Sequence, residues 1–219
     1  MKNLLRKYKV DIKKLEELTG KSIHQKLIKE RDEINFISKI SEIKIGTYLA
    51  EKFQKNIEYE PKIDKKTPDW LVSLNGEKII IEVLKINLPN EELTNKIELY
   101  KNGDYTTPPS EVFMGLATLK FNDKKKIESK EITYRKLIED KGYKLIIGID
   151  ASDWEKRIDV SDIKATFNFN TSNSENNQFI KNVTGLLVIP YMGNIEFILN
   201  NNSKFKINPE ILNKFKSSC

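Results

Sequence analysis

Two carboxylates lie on either side of a short hairpin signal between residues 67 and 85. Asp69 precedes one apolar run, and Glu82 interrupts the next one, Ile-Ile-Ile-Glu-Val-Leu, where an unpartnered charge is costly to bury. Asn75-Gly76 lies midway between them and predicts a type I′ turn. With these as the loop residues, Asp69 is predicted to face Glu82 across the hairpin. Opposed carboxylates repel unless a cation or a shared proton lies between them, so the spacing leaves two alternatives open: a shared proton, or a site for a hard, oxygen-binding cation.

A third carboxylate, Glu42, shares a helical stripe with apolar residues. Residues 37–53 have helical spacing, and the stripe continues through Gly46, Leu49 and Phe53. This pattern predicts that Glu42 points towards the core. An acid near the start of a helix also suits the helix dipole while facing solvent, so both interpretations stay open.

The rest of the chain predicts the elements that hold these residues. Residues 1–36 are Lys-rich and helical in pattern, and we interpret them as an N-terminal helical arm. Residues 37–219 are predicted to form one domain, in which the weakly patterned segment 86–122 is an insertion or lid. Further predicted elements are a helix at 123–141 capped by Asp123, a buried strand at 144–150, a second hairpin turning near 192–194 and a short C-terminal helix. This order favours an α/β fold with a mixed β-sheet flanked by helices.

The composition excludes several kinds of site and favours a polyanionic partner. With one cysteine and one histidine in 219 residues, a disulfide framework, a thiolate cluster and a His-rich metal site are excluded. The apolar stretches are much shorter than the ~20 residues that cross a bilayer, so we expect a soluble, cytoplasmic protein with no membrane partner. The formal charge of +6 favours nucleic acid. The run Lys124-Lys125-Lys126 is a candidate phosphate contact, although a solvated helix face explains it equally well.

The order of these features resembles the PD-(D/E)xK nuclease superfamily, whose members share the restriction-endonuclease-like fold. The matching residues are Glu42 on a helix, Pro68-Asp69 at a strand start, and Glu82-Val83 on an apolar strand with Lys85 nearby. Residues 128–150 are similar to the Lys- and Tyr-bearing helix and following strand of many members. The resemblance covers residues 37–150.

The resemblance implies a Mg²⁺-dependent endonuclease that acts on DNA, with Mn²⁺ able to replace Mg²⁺. Asp69 and Glu82 would be metal ligands, the Val83 carbonyl a third ligand, and Glu42 an outer-shell or second-metal ligand. Mg²⁺ prefers such oxygen ligands and keeps several waters. Many relatives act as dimers to cut both strands, so a homodimer is one arrangement that the resemblance implies.

The catalytic lysine departs from the family pattern. Its usual place, two residues after the Glu, is Leu84, and Lys85 lies one residue further along, on the opposite face of a regular strand. A β-bulge would re-aim Lys85 towards the site. Lys130, which shares a helical stripe with Tyr134, is the alternative catalytic lysine, and Lys126 lies one turn earlier. Loss of catalysis is the remaining alternative.

Two other functions stay open at this point. A nuclease-fold protein that binds nucleic acid without cutting it would explain Leu84, and it predicts no lysine ammonium within reach of Asp69 and Glu82. A basic α/β protein-interaction domain would place Asp69 and Glu82 on different faces. For Glu82 by itself, the alternative to a site residue is an edge-strand residue paired with a lysine such as Lys65 or Lys66.

Overall fold

The protein is described by a computed structural model that covers residues 1–86, 121–152, 160–167, 177–190 and 192–217. Of Lys2 and residues 121–124 only the secondary structure is described. The helices in these ranges are α1 (Lys2–Lys7), α2 (Lys9–Thr19), α3 (Ile23–Lys29), α4 (Glu33–Phe53), α5 (Phe121–Lys141), α6 (Val160–Phe167), α7 (Gln178–Asn182) and α8 (Pro209–Lys216), with a short 3₁₀ helix at Gln54–Asn56. The strands are β1 (Ile57–Tyr59), β2 (Trp70–Leu74), β3 (Glu77–Lys85), β4 (Lys144–Asp150), β5 (Val183–Ile189) and β6 (Glu196–Leu199).

The strands form one mixed sheet in the order β1-β2-β3-β4-β5-β6. The central pairs β3–β4 and β4–β5 are parallel, and the other neighbours are antiparallel. Parallel strands are normally covered on both faces, which is why β3, β4 and β5 read as nearly continuous apolar runs. The predicted α/β fold with a mixed sheet flanked by helices is therefore confirmed.

Helices cover both faces of the sheet, and strand alternation assigns β3 side chains to each face. Ile79, Ile81 and Val83 pack in the cluster that contains α2, α3, α4 and α8. Ile80 packs in the cluster that contains α5, α6 and α7. Because successive side chains point to opposite faces, Glu82 follows Ile80 and points towards α5.

The predicted hairpin is confirmed in turn and register. Asn75 and Gly76 have φ values of 51° and 77°, which the type I′ turn requires at both loop positions. The ladder pairs Leu74 with Glu77 and continues, one residue further along each strand at every pair, to Trp70–Ile81. The same turn chemistry therefore fixes which residues of β2 and β3 are opposite each other.

The two long helices agree with prediction except at their starts. Helix α4 begins at Glu33 rather than at residue 37, because the Asp32 side chain accepts a hydrogen bond from the Asn35 amide at 2.8 Å and caps the helix there. Helix α5 begins at Phe121, so Asp123 lies inside the helix and not at its cap. Both helices keep the predicted inward faces, and the α5 residues Ile127, Tyr134, Leu137 and Ile138 are all buried.

The helices of residues 1–36 pack on the sheet domain. Ile12, Leu15, Ile23 and Leu27 are buried in the same apolar cluster as α4. The predicted insertion at 86–122 falls almost entirely outside the described residues, which resume at 121. Its first residue, Ile86, is described and is buried next to β4. The backbone N–H of Ile86 donates a hydrogen bond to the backbone carbonyl of Asp150.

Substituting Gly46 with alanine is expected to destabilise the protein. A Cβ added at this position of α4 would clash with the ring of Trp70, which is completely buried. Overpacking a well-packed core typically costs about 1–3 kcal/mol, and urea denaturation of the Gly46→Ala variant measures it. Alanine is the better helix former by about 1 kcal/mol, so a stabilised variant would contradict this close helix-to-strand packing.

Candidate functional site

Glu82 is buried in β3, and α5 supplies a partner for each of its oxygens. The residue is 4% exposed. Lys130 Nζ donates to Glu82 Oε2 at 2.6 Å, and the Tyr134 hydroxyl donates to Oε1 at 2.6 Å. Lys130 and Tyr134 are four residues apart and so lie on one face of the helix. These two partners explain how a carboxylate is tolerated within an apolar strand.

Asp69 lies next to Glu82 at the start of β2. The hairpin ladder ends at Trp70–Ile81, one position before the predicted pair of Asp69 and Glu82. From there Asp69 Oδ2 accepts a hydrogen bond from the backbone amide of Val83 at 2.7 Å. The two carboxylates therefore meet at one end of the hairpin, with the Asp69 side chain bound to the backbone of β3.

Glu42 is half-buried and turned towards this site. Its Oε2 accepts a hydrogen bond from the Tyr59 hydroxyl at 2.8 Å, and its backbone carbonyl accepts from Trp70 Nε1 at 2.9 Å. Trp70 follows Asp69 directly, so α4 is tied to the start of β2 beside that carboxylate. Of the two interpretations of Glu42, the inward one agrees with the structure.

The three carboxylates influence one another electrostatically. Burial raises the pKa of Asp69 well above its usual range, and repulsion by Glu42 and Glu82 raises it further. Burial also raises the pKa of Glu42, against the opposing effects of Lys39 and of the hydrogen bond from Tyr59. Both shifts favour the protonated forms of Asp69 and Glu42, and a bound cation would favour their ionised forms.

Lys130 and Tyr134 keep their protons in this environment. Burial by itself lowers the pKa of Lys130, but Glu82, Asp69 and Glu42 raise it above its ordinary value. Burial and the Glu82 carboxylate together raise the pKa of Tyr134. Both side chains are therefore hydrogen-bond donors to Glu82 near neutral pH.

Lys85 lies on the other face of the sheet. The parallel pairing of β3 with β4 runs without a register shift from Glu82–Ile147 to Lys85–Asp150, so no bulge re-aims the lysine. Lys85 Nζ is 3.4 Å from Asp150 Oδ1. Of the lysines considered for the site, the structure brings Lys130 to Glu82 and keeps Lys85 on the α4 face.

Asp150 is the centre of a second polar cluster that sequence analysis missed. Lys44 Nζ lies 3.0 Å from Asp150 Oδ2, and the Ser41 hydroxyl donates to the same oxygen at 2.6 Å. Burial by itself raises the pKa of Asp150, but Lys85 and Lys44 hold it well below its usual range. A signal was present in the sequence, because Asp150 ends an apolar strand much as Glu82 interrupts one.

The basic run Lys124-Lys125-Lys126 lies on the same helix as Lys130. Lys125 and Lys126 are exposed on α5, and the side chain of Lys124 lies outside the described residues. Lys126 is one turn before Lys130 and makes no contact with Glu82 like that of Lys130. Lys125 and Lys126 are therefore accessible to a large anionic ligand at one end of α5.

The three carboxylates are of a type that suits a hard cation, but their present contacts do not arrange them as metal ligands. Carboxylate oxygens of Asp69, Glu82 and Glu42 are the ligands that Mg²⁺ prefers, and their mutual repulsion would be relieved by a cation. Among the residues that the structure describes, no group of three or more His, Cys, Asp or Glu side chains is arranged to hold a metal ion. Glu82 is held by Lys130 and Tyr134 instead. At Val83 it is the backbone amide that contacts Asp69.

Comparisons with known proteins add little to this geometry. No protein-family model matches the chain, and no curated protein matches it. Among solved structures, the chain is similar to one described as the CdiA-CT/CdiI toxin and immunity complex from Burkholderia pseudomallei. The identity is 17%, the match covers 78% of this chain and 91% of that chain, and the TM-score is 0.39. A TM-score this low supports no conclusion about fold or function. In the described ranges, no helix is long and apolar enough to span a membrane.

Proposed function

We propose that the protein is a Mg²⁺-dependent endonuclease of the PD-(D/E)xK type, with a restriction-endonuclease-like fold, that hydrolyses phosphodiester bonds in DNA. The observation that supports this proposal is the contact of Lys130 Nζ with Glu82 at 2.6 Å, beside Asp69. A nuclease needs an ammonium within reach of the carboxylate pair, and a protein that only binds nucleic acid does not. Leu84 stands where the family usually has its lysine, and Lys130 on α5 would supply the missing ammonium instead.

Each residue has a distinct role in this proposal. Asp69 and Glu82 would hold the metal, with Glu42 as an outer-shell ligand. Bound Mg²⁺ would supply a hydroxide near neutral pH and offset negative charge in the transition state. Lysine is an ammonium near neutral pH, so Lys130 would orient the attacking water and stabilise charge on the phosphate. Tyr134 would hold the Glu82 carboxylate in place through its hydrogen bond.

The charge distribution is compatible with DNA as the substrate. The chain carries a formal charge of +6, and exposed Lys125 and Lys126 lie on the same helix as Lys130. Lysine contacts to phosphates release counterions and supply binding that depends on salt but not on base sequence. A DNA strand would therefore be attracted to the carboxylate site in spite of the negative charge within it.

Cleavage of plasmid and single-stranded DNA tests the proposal. We expect the wild-type protein to cut in Mg²⁺ or Mn²⁺ and not in EDTA, and we expect Asp69→Asn and Glu82→Gln each to reduce the rate by about 100-fold or more. Asp64→Asn is the matched control, because Asp64 is an exposed aspartate paired with Lys141, and it should cut normally.

Two results would contradict the proposal. One is wild-type cleavage that persists in both carboxylate variants, which would place the chemistry elsewhere. The other is an absence of cleavage with any metal while salt-sensitive DNA binding is retained. That second result would favour a nuclease-fold protein that binds nucleic acid without cutting it.

A further inference from the structure

A cluster of two lysines and one glutamate borders the carboxylate site on the side away from α5. It consists of Lys26 on α3, Lys39 on α4 and Glu60 directly after β1, and we call it the Glu60 cluster. Lys26 Nζ donates to Glu60 Oε2, and Lys39 Nζ lies 3.7 Å from Glu60 Oε1. Residues from 1–36 and from the sheet domain therefore meet at one carboxylate.

Contacts connect the Glu60 cluster to the proposed active site. Lys26 Nζ lies 5.3 Å from the ring centroid of Tyr59, and the hydroxyl of that tyrosine donates to Glu42. The Glu60 backbone amide donates to the carbonyl of Asp69 at 3.0 Å. Tyr59 therefore lies between Lys26 and Glu42, and the backbone of Glu60 is bonded to that of Asp69.

The charge and accessibility of the cluster suit an anion that comes from solvent. Lys26 and Lys39 share the Glu60 carboxylate, so these three side chains taken together carry more positive than negative charge. The side chains are partly exposed, at 43% for Lys26, 25% for Lys39 and 22% for Glu60. Such partly exposed ion pairs contribute little to folding stability. An anion from solvent could therefore replace Glu60 as the partner of the two lysines with little loss of folding stability.

The backbone at Glu60 has a positive φ, as it does at Gln54, Asp64 and Asn75. Its φ is +44°, in the left-handed region that a side chain other than glycine rarely adopts. The contacts with Lys26 and Lys39 hold the Glu60 carboxylate between the two ammonium groups.

We propose that Lys26 and Lys39 bind a DNA phosphate adjacent to the one at the carboxylate site, and that Glu60 competes with this phosphate for the two ammonium groups. The inference rests on the proposed nuclease function and adds a substrate contact to it. Lys130 would approach the backbone from α5, and the two lysines of the cluster would approach it from α3 and α4. Residues 1–36 would then form part of the DNA-binding surface.

The proposal predicts effects of opposite sign from substitutions within one ion-pair cluster. Affinity is measured by fluorescence anisotropy with a short labelled DNA duplex, in Ca²⁺, across about 50–200 mM salt. Lys26→Gln and Lys39→Gln should each weaken binding and reduce the slope of log K against log salt by about 1. Glu60→Gln should tighten binding, by about threefold or more at low salt, because it removes the competitor.

The Lys164–Glu196 pair provides matched controls. Its atoms are 3.5 Å apart and both side chains are about half exposed, and Glu196 is on β6, at the opposite edge of the sheet from β1. Lys164→Gln and Glu196→Gln make the same charge changes and should alter DNA affinity and its salt slope much less. Circular dichroism melting of all variants checks that each is folded.

The outcomes separate this inference from the proposed function. Weaker binding by the Lys26 and Lys39 variants, with tighter binding by Glu60→Gln and small effects in the controls, supports the phosphate contact. The inference is overturned, while the nuclease stands, if the wild type cuts DNA and the cluster variants bind like the controls, or if Glu60→Gln weakens binding. A wild type that neither binds nor cuts DNA overturns both proposals.

Discussion

Replacing Lys130 with alanine is expected to reduce the rate of DNA cleavage by at least about 100-fold, the typical effect of removing one preorganised charge-stabilising donor. Lys130 is the cation that contacts Glu82, with its Nζ at 2.6 Å from Oε2. Its removal would leave the Glu82 and Asp69 carboxylates without this ammonium and the attacking water without a donor. Single-turnover cleavage of a plasmid measures the chemical step directly.

Two other lysines are the natural controls for this prediction. Lys126→Ala removes an exposed lysine one turn earlier on the same helix, and it should weaken DNA binding without a comparable loss of the cleavage rate at saturating protein. Lys85→Ala removes a lysine that contacts Asp150 on the other face. If Lys85→Ala, checked by circular dichroism to be folded under the assay conditions, were the more damaging substitution in single-turnover cleavage, our assignment of the catalytic lysine to α5 would be wrong.

Asp150→Ala should be among the most destabilising single substitutions in the described part of the chain. Asp150 is 1% exposed and lies within 3.4 Å of the ammonium groups of Lys85 and Lys44. Removing one partner of a buried ion pair typically costs about 3–5 kcal/mol, because the remaining charges lose that partner while they stay largely out of water. The free energy of unfolding, measured with urea, should fall by an amount in this range.

The sign of the pH dependence follows from the pKa of Asp150. Lys85 and Lys44 hold that pKa below its value of about 3.9 in the unfolded chain, against the effect of burial. An acid with a lowered pKa stabilises the folded state above its unfolded pKa, and this contribution is lost as the pH falls through the folded pKa. The stability difference between the wild type and Asp150→Asn should therefore be largest near neutral pH and should shrink below about pH 4. A difference that grew as the pH fell would contradict the low pKa.

The local structure of the hairpin was determined by the sequence alone. Asn75 and Gly76 are residues that adopt positive φ readily, so the turn type and the register to Trp70–Ile81 followed without tertiary information. The separation of Glu82 from Lys85 onto opposite faces followed in the same way, because alternation is a property of any regular strand. The inward face of α5 could likewise be predicted from its spacing.

The starts of the long helices could be predicted only within a few residues. The apolar pattern of α4 is not clear before residue 37. The helix nevertheless begins at Glu33, because Asp32 caps it there. Polar residues at a helix end carry little periodic signal, so capping contacts in the folded chain decide the boundary.

The composition of the candidate site was decided by tertiary structure. Lys130 and Tyr134 reach Glu82 across sequence separations of 48 and 52 residues, and Tyr59 reaches Glu42 across 17. Helical spacing indicated Lys130 and Lys126 as alternatives to Lys85 on the strand. It does not determine which face of the sheet α5 covers.

The physical reason is that burial of apolar surface on both faces of the sheet decides where each helix packs. Helix α5 buries its apolar stripe against Ile80, Leu145 and Ile147, and this packing carries Lys130 to Glu82. Helices α2, α3 and α4 bury theirs on the opposite face, and this packing brings Lys26 and Lys39 to Glu60. The sequence by itself determined the carboxylates, the turn and the strand faces, whereas the folded core decided which cations lie beside each carboxylate.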